Sequence, residues 1–388
     1  MKRFLCMLLA MLCLLGAASA ETPEKLIDRA FRQYSTMGGC VAVIQNGEVT
    51  FTHCYGTIRN GGQPVAEDTL FQVGSISKMI SNIALMMLLD EHGYTLESEI
   101  GDVLGYPVRH PEYPDVPVTL RMLMSHTAGL RDSGDYQEAL AGNLRPLKEL
   151  FGKRSEYTWL SGHEPGTKRR YSNLGGGLIG SLIEKLSGQT LDDYMTQNVF
   201  GPLGIEAAYQ PARFDTPDRL VNLYNMPDRY AAKELHRDKK LALQPDPETH
   251  YTYTAGKLII SAPDLCRLLI LLCDGGIYEN TRLLKESTVA QMTAPQENAD
   301  GHGLFMNIIR DDQVEGRTMY GHGGKANGML CAAYFDPTDR TGVVMLTNGC
   351  NNEPMHNGVG MLGRVVMRIC YDEIIGEEHK TEDPFAVE

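Results

Sequence analysis

The distribution of apolar positions divides the chain into strand-like ends and a helical middle. Near the N-terminus, apolar segments at 40–44 and 49–55 flank Asn46-Gly47, a pair typical of a two-residue hairpin turn. Four later segments repeat apolar residues with the helical period: 76–91, 171–186, 191–200 and 264–273. Strand patterns return only at 303–309, 329–335 and 342–347, before an amphipathic helix over roughly 353–375.

This order of elements predicts an α+β fold. An isolated two-stranded hairpin is marginally stable in water, so we expect the N-terminal hairpin to join the C-terminal strands in one antiparallel sheet. Helices would flank that sheet, and the middle of the chain would form a large, mostly helical insertion. We predict one catalytic unit over residues 21–388, with an α/β lobe (21–74 plus 300–388) and a helical lobe (75–299).

The first twenty residues have the three-part layout of a secretory signal peptide. Lys2 and Arg3 precede an apolar stretch at 4–15, and residues 18–20 (Ala-Ser-Ala) match the small-x-small cleavage pattern. The stretch is too short to span a bilayer, so no transmembrane segment is expected after cleavage of residues 1–20. We therefore expect an exported protein that is secreted, periplasmic or part of the cell envelope.

Charge and cysteine content narrow the choice of partners. The chain has 388 residues and a formal charge of −13; loss of residues 1–20 removes two of the 36 basic residues and none of the 49 acidic ones, which gives −15. This charge disfavours a nucleic-acid partner.

Seven cysteines remain after cleavage and none lies in a Cys-x-x-Cys motif. Cys40 and Cys54 face each other across the predicted hairpin, and a bridge between them depends on the turn length. We expect no metal and no cofactor, and the oligomeric state stays open.

The first candidate for chemistry is a serine followed by a lysine three residues later. Ser75 and Lys78 stand at the start of the predicted helix, where residues three apart share one face at about 5–6 Å between Cβ atoms. A serine nucleophile needs an adjacent base, and a lysine provides one if burial lowers its pKa toward neutrality. The backbone N–H of Ser75 could also stabilise an oxyanion. Taken alone, this spacing equally fits an N-cap serine and a solvated lysine.

Two further motifs carry groups suited to the same chemistry. In Tyr171-Ser172-Asn173 a phenol can pass a proton and an amide can hold a substrate carbonyl, although a simple turn has the same pattern. The third motif is the segment 321–324 (Gly-His-Gly-Gly), just before the strand predicted from residue 329. Its glycines would let a substrate lie along a strand edge, and His322 could donate to the substrate or tune the phenol. A histidine between glycines is more often a turn residue.

Together, the three motifs resemble those of class C β-lactamases and penicillin-binding-protein-like serine hydrolases. This peptidase S12-like group also holds D-aminopeptidases, D,D-carboxypeptidases and family VIII esterases. The segments 119–130, 202–205, 261–265 and 342–348 support the resemblance over nearly all of the chain after residue 20. It implies a β-lactamase/transpeptidase-like fold and an acyl-enzyme mechanism. The implied catalytic residues are the nucleophile Ser75 with Lys78 and Tyr171, which share its proton, and the implied substrate-binding and oxyanion residues are Asn173, His322, Gly323, Gly324 and Lys325.

The third motif also implies a substrate preference. Relatives with Lys-Thr-Gly or His-Thr-Gly have a hydroxyl where this chain has Gly323, and that hydroxyl helps to hold the carboxylate of β-lactams and cell-wall peptides. The resemblance therefore implies a small-molecule ester, amide or peptide substrate without a carboxylate on its leaving side, as in esterases and D-aminopeptidases. The alternatives are a class C-type β-lactamase or D,D-carboxypeptidase, and a non-catalytic peptidoglycan- or peptide-binding protein. A threonine at 323 would then raise activity on carboxylate-bearing substrates.

Several other residues have plainer interpretations. The segment 175–180 fits G-x-G-x-x-G but follows no buried strand, so a dinucleotide site is not expected. His126 is expected to be a buried structural histidine, whereas Tyr251 and Tyr253 could line the pocket. If His322 must be neutral for turnover, the acid limb of the pH profile should lie near about 6.5.

Overall fold

The structure is a computed structural model that describes residues 21–226, 228–310, 313–351, 354–376 and 383–385. The predicted signal peptide, residues 1–20, lies outside the described residues. The α-helices of this part are α1 (Pro23–Gln33), α2 (Ile76–His92), α3 (Ile100–Leu104), α4 (Leu120–Met124), α5 (Gly134–Leu140), α6 (Leu147–Phe151), α7 (Ser155–Thr158), α8 (Asn173–Ser187), α9 (Leu191–Met195), α10 (Ala262–Cys273), α11 (Glu286–Thr293) and α12 (Met361–Cys370). The strands are β1 (Gly38–Gln45), β2 (Glu48–Gly56), β3 (Phe71–Gln72), β4 (Ala207–Ala208), β5 (Asn222–Asn225), β6 (Tyr230–Glu234), β7 (Ile259–Ile260), β8 (Ile277–Tyr278), β9 (Thr281–Arg282), β10 (Asn307–Arg310), β11 (Thr318–Ala326), β12 (Met329–Asp336), β13 (Thr341–Thr347), β14 (Met355–His356) and β15 (Val359–Gly360).

Six strands form one antiparallel sheet in the order β10-β11-β12-β13-β1-β2. The N-terminal hairpin joins the C-terminal strands where β1 pairs with β13, from Gly39↔Thr347 to Ile44↔Gly342. The regular secondary structure between β2 and β10 is mostly helical, and this part of the chain also carries three small sheets. The prediction of an α+β fold with a split antiparallel sheet and a helical insertion is therefore confirmed.

Both faces of the sheet are covered because the central strands are apolar at nearly every position. In β1, alternate side chains enter two different cores. Cys40, Ala42 and Ile44 pack with α10 and the helical middle of the chain, whereas Val41 and Val43 pack with α1 and α12. Successive side chains of a strand point to opposite faces, so a strand between two helical layers needs apolar residues on both.

The long predicted helices are present, and capping sets their ends. The segments predicted at 76–91, 171–186 and 264–273 are α2, α8 and α10, while 191–200 consists of α9 and a π-helical turn, Thr196–Phe200. Helix α8 begins at Asn173 because the side chain of Ser172 caps it, accepting a hydrogen bond from Gly175 N at 3.1 Å.

Three predictions for the C-terminal region were wrong or imprecise. The third motif lies inside β11 rather than in a turn before a strand. The strand predicted at 303–309 is β10, which begins at Asn307, and the last helix begins at Met361 rather than near 353 because the β14–β15 hairpin precedes it. Glycines reduce strand propensity, so β11 gave no strand pattern in the sequence.

The cysteine pair of the hairpin lies in direct register. Cys40 is paired with Cys54, and their Sγ atoms are 2.8 Å apart. Both are free thiols. None of the helices described is long and apolar enough to cross a membrane.

Candidate active site

The candidate nucleophile lies where the first turn of α2 meets the sheet. Ser75 directly precedes α2, and Lys78 follows one turn later. Gly74 adopts a φ of +57°, and a Cβ on it would lie 3.1 Å from the backbone nitrogen of Lys325 in β11. A glycine is needed for this conformation and this close approach. The turn therefore brings the backbone of Ser75 beside that of Lys325, the two residues expected to form the oxyanion hole.

Four of the predicted residues meet around one hydroxyl. Lys78 Nζ donates to Ser75 Oγ at 3.1 Å, and the Tyr171 phenol donates to the same oxygen at 2.7 Å. Lys78 Nζ also donates to Asn173 Oδ1 at 2.9 Å, across 95 positions of sequence. The Lys78 ammonium lies 5.0 Å from the centre of the Tyr171 ring. The hydroxyl thus has two proton-carrying groups in direct contact.

The surroundings of Lys78 match a charged amine. Its side chain is fully buried, and Nζ donates to a third acceptor, the carbonyl oxygen of Ala255, at 2.5 Å. An ammonium has three donors, and three acceptors surround this one. The aliphatic part of Lys78 lies against Gly176 of α8, where a Cβ would overlap the lysine carbons. Within the glycine run after Tyr171-Ser172-Asn173, Gly176 therefore makes room for the lysine, and a Cβ on Gly177 would overlap the carbonyl oxygen of Tyr251.

A carboxylate that the sequence analysis missed holds the second motif in position. Asp132 accepts four hydrogen bonds from the N-terminus of α8. The donors are Ser172 Oγ (3.0 Å), Asn173 N (3.0 Å), Asn173 Nδ2 (2.8 Å) and Leu174 N (2.9 Å). Because Asn173 Nδ2 is bound to Asp132, its Oδ1 must point to Lys78. Asp132 lies 40 residues before the motif, and only its place two residues after the conspicuous 119–130 segment could have drawn attention to it.

The third motif forms the open edge of the cleft. In the described part of the chain, β10 pairs with residues 318–321 of β11. The rest of this edge of β11, from His322 to Ala326, faces the cleft. His322 is buried, and its Nδ1 lies 2.6 Å from the carbonyl oxygen of Gly323. A carbonyl can only accept, so Nδ1 carries the proton. Burial lowers the pKa of His322 to about 3. The expected acid limb near 6.5 from this histidine is therefore wrong.

Gly323 is required by a neighbouring loop. A Cβ at this position would overlap the carbonyl oxygen of Gly358, which lies in the turn between β14 and β15, and would come within 2.7 Å of Met355 Cε. The expectation that threonine could simply be installed at 323 is wrong, because a backbone carbonyl already occupies that space. A Cβ on Gly324 would likewise overlap the carbonyl oxygen of Val73.

His126 packs against the ring of Tyr171. It is buried, its ring lies 4.4 Å from that of Tyr171 and 4.9 Å from that of Phe305, and its Nδ1 accepts from Ser172 N at 3.3 Å. Burial holds the pKa of His126 well below its usual range. The residue is thus a neutral packing and hydrogen-bonding partner. Tyr251, in contrast to the expectation, is fully buried, and Tyr253 is not among the residues that line the cleft.

Comparison with known proteins agrees with this architecture. A family model described as Beta-lactamase matches residues 24–364. Penicillin-binding protein 4 of Amycolatopsis lactamdurans is 26% identical over 349 residues, which cover 84% of this chain and 84% of the relative. Esterase EstB of Burkholderia gladioli is 28% identical over 219 residues, 52% of this chain and 55% of the relative.

A solved structure gives the same result for the fold. D-amino acid amidase from Ochrobactrum anthropi SV3 in complex with D-phenylalanine matches with a TM-score of 0.70 at 17% identity, covering 92% of this chain and 98% of the amidase. The resemblance seen in the sequence is confirmed. Since the family model spans most of the chain, this protein belongs to the Beta-lactamase family of serine hydrolases.

Proposed function

We propose that the protein is an exported serine hydrolase that cleaves ester or amide bonds through an acyl-enzyme on Ser75. The observation that carries this proposal is the position of Ser75 Oγ, which is held between Lys78 Nζ at 3.1 Å and the Tyr171 phenol at 2.7 Å. An activated serine needs a proton acceptor within hydrogen-bond distance, and the oxygen of Tyr171 lies at that distance.

The acceptors around Lys78 suit an ammonium, which makes Tyr171 the group that takes the serine proton. The nearby ammonium stabilises the phenolate that must exist before attack. Ser75 Oγ then bonds to the substrate carbonyl carbon, and its proton passes to Tyr171. When the carbonyl re-forms, the bond to the leaving group breaks and Tyr171 returns the proton to it. Water hydrolyses the acyl-enzyme by the same steps in reverse.

The substrate class that we propose is an ester or amide without a carboxylate on the leaving side. Tyr171 lines one end of the cleft together with His322 and Gly323. At that end the carbonyl of Gly358 fills the space beside Gly323, so position 323 supplies no hydroxyl for a carboxylate; the cationic residues that line this end are Arg169 and Lys325. The missing hydroxyl supports esterase or D-aminopeptidase-like activity over penicillin hydrolysis.

Covalent labelling tests the nucleophile. A fluorophosphonate should add one phosphonyl group to Ser75, detected by intact mass and peptide mapping, and Ser75→Ala should lose both the adduct and turnover by several powers of ten. Ser287→Ala is the matched control because Ser287 is exposed on α11. A Ser75→Ala protein that keeps more than a few per cent of turnover would exclude this mechanism.

A substrate comparison tests the preference. We expect kcat/KM for p-nitrophenyl butyrate or D-alanine p-nitroanilide to exceed that for nitrocefin and for a diacyl-Lys-D-Ala-D-Ala peptide. The opposite order, with labelling of Ser75 intact, would favour a β-lactamase or D,D-carboxypeptidase. Absence of both labelling and turnover would favour a binding protein on the same scaffold.

Export is proposed from the N-terminal sequence. Expression of the full chain in a bacterial host should give a product that begins at Glu21, found in the periplasm or medium by N-terminal sequencing of each fraction. A product that begins at Met1 and stays in the cytoplasm would contradict the proposal.

A further inference from the structure

Beside the nucleophile, the cleft opens into a cavity lined by three lysines: Lys325, which also lines the end of the cleft near Tyr171, and Lys233 and Lys257, which do not. The cavity has a volume of about 440 Å³, and Ser75, Asn173, Lys233 and Lys257 all line it. Its size suits a small organic ligand. Part of its wall comes from α5 through Tyr136, Gln137 and Leu140. Lys233 lies on β6 and Lys257 just before β7, so two separate segments bring ammonium groups to one space.

The partners of both lysines are neutral, and Lys257 Nζ also lies 4.8 Å from the centre of the Tyr253 ring. Lys233 Nζ donates to Gln72 Oε1 at 3.0 Å, and Lys257 Nζ donates to Thr252 Oγ1 at 2.9 Å. Gln72 is oriented for this contact because its Nε2 donates to the carbonyl of Gly256. Neither lysine forms an ion pair with any residue in the part of the chain that the structure describes.

Partial burial disfavours the charged form of both lysines. Loss of water lowers the pKa of Lys233, and it lowers that of Lys257 to about 8, with a further decrease from the charge of Lys233. Asp238 acts in the opposite direction on both, and Lys240 adds to the positive field at Lys257. Both side chains are half-buried, and a charge that is partly removed from water is stabilised by a counter-ion. A cavity with two incompletely compensated ammonium groups is therefore suited to an anion.

The geometry also shows which half of a substrate would enter this cavity. Under the mechanism proposed above, the leaving group must lie beside Tyr171, which takes part in the proton transfer. Tyr171 lines the opposite end of the cleft, with His322 and Gly323, and is not a lining residue of the lysine cavity. The acyl half of the substrate therefore points toward Lys233 and Lys257.

We infer that Lys233 and Lys257 are specificity residues that bind an anionic group, such as a carboxylate, at the far end of the substrate's acyl chain. The inference rests on the proposed function, because it assigns the two ends of the cleft from the role of Tyr171. It also separates two activities that the proposed function left together. A D-aminopeptidase substrate carries an ammonium on its acyl half, and the two lysines would repel it.

Three esters of 4-nitrophenol that differ only in the charge of the acyl end test this inference. They are the adipate half-ester (anionic), the hexanoate (neutral) and the 6-aminohexanoate (cationic). We expect kcat/KM to fall in that order, with the anionic ester at least about tenfold above the neutral one. The double substitution Lys233→Met and Lys257→Met should remove most of this preference, since Lys325 is then the one lysine left among those that line the cavity. Because the readout is a ratio, a general loss of activity cancels.

Control variants separate charge in the cavity from other effects. Lys25→Met removes a charge from the exposed surface of α1 and should leave the ratio unchanged. Lys257→Arg keeps the charge and should retain most of the preference. A wild-type ratio at or below one, or a ratio that the double substitution leaves unchanged, would overturn the inference.

A binding measurement keeps the inference testable if no ester is turned over. The Ser75→Ala protein should bind the half-anilide of adipic acid in calorimetric titration, and adding the double Lys→Met substitution should abolish binding. Failure of Ser75 to be labelled would refute the acyl-enzyme and leave this arm intact. Absence of binding, or binding that does not depend on the two lysines, would refute the anion site whether or not Ser75 is acylated.

Discussion

Asp132→Asn removes one negative charge from the N-terminus of α8 and changes almost nothing else in shape. In the native protein, the carboxylate of Asp132 accepts four hydrogen bonds of 2.8–3.0 Å from residues 172–174. An asparagine offers one acceptor oxygen with two lone pairs and turns an NH₂ donor toward the other two donors. At least two of the four bonds are therefore lost.

The size of the effect follows from the type of bond. A hydrogen bond to a charged group contributes about 1.5–3 kcal/mol, so two of them give a loss of about 3–6 kcal/mol before water replaces any of them. Asp132 is only partly buried, and water can reach part of the site. We therefore expect a loss of about 2–4 kcal/mol in the free energy of unfolding. Since Asn173 would no longer be held toward Lys78, kcat/KM should fall by about 100-fold, which corresponds to about 3 kcal/mol.

Three measurements test this chain of effects. Urea denaturation gives the change in unfolding free energy, steady-state hydrolysis of p-nitrophenyl butyrate gives kcat/KM, and the rate of fluorophosphonate labelling reports the reactivity of Ser75 directly. Asp215→Asn is the control because Asp215 is exposed and far from α8 in the sequence.

Two results would refute the reasoning. One is an Asp132→Asn protein whose kcat/KM lies within twofold of the wild type and whose unfolding free energy lies within about 0.5 kcal/mol of it. A stability change of that size is typical of a surface substitution. The other is a loss of stability with unchanged labelling of Ser75, which would show that Asp132 stabilises the helix but does not position Asn173 and Lys78.

The remaining predictions concern residues around the cleft. Because burial holds the pKa of His322 at about 3, this residue stays neutral from pH 5 to 8. The substitution His322→Gln should therefore leave the shape of the profile of kcat/KM against pH unchanged. Loss of an acid limb in this variant would contradict the prediction. Gly176→Ala should lower kcat by about tenfold or more and the unfolding free energy by about 1–3 kcal/mol, because the new methyl displaces Lys78; unchanged turnover would show that the lysine can shift without loss. Gly323→Thr should lower all hydrolytic activity, since its side chain overlaps the carbonyl of Gly358; increased hydrolysis of nitrocefin would show that the loop yields and that the missing hydroxyl sets the substrate preference.

The sequence predicted what depends on neighbours along the chain. The Asn46-Gly47 turn set the hairpin and brought Cys40 opposite Cys54, and the period of apolar residues located α2, α8 and α10. Because a helix places residues three apart on one face, the contact of Ser75 with Lys78 also followed from spacing. The resemblance to a family then added Tyr171 and Asn173, which no local rule connects to Ser75.

The tertiary structure decided what depends on distant segments. Strand β11 showed no strand pattern because its glycines are required by close contacts with Val73, Ala333 and Gly358, and these contacts exist only in the folded chain. For the same reason Asp132, 40 or more residues from its partners, gave no signal.

The charge of the cleft also depends on tertiary structure. Lys233 and Lys257 are ordinary lysines in the sequence, and His322 has an ordinary pKa in water. The fold places the two lysines half-buried in one cavity, without a carboxylate partner in the described part of the chain. Burial beside the carbonyl of Gly323 keeps His322 neutral. Periodicity along a sequence encodes which face of an element is apolar, but desolvation and pairing depend on what the fold packs against that face.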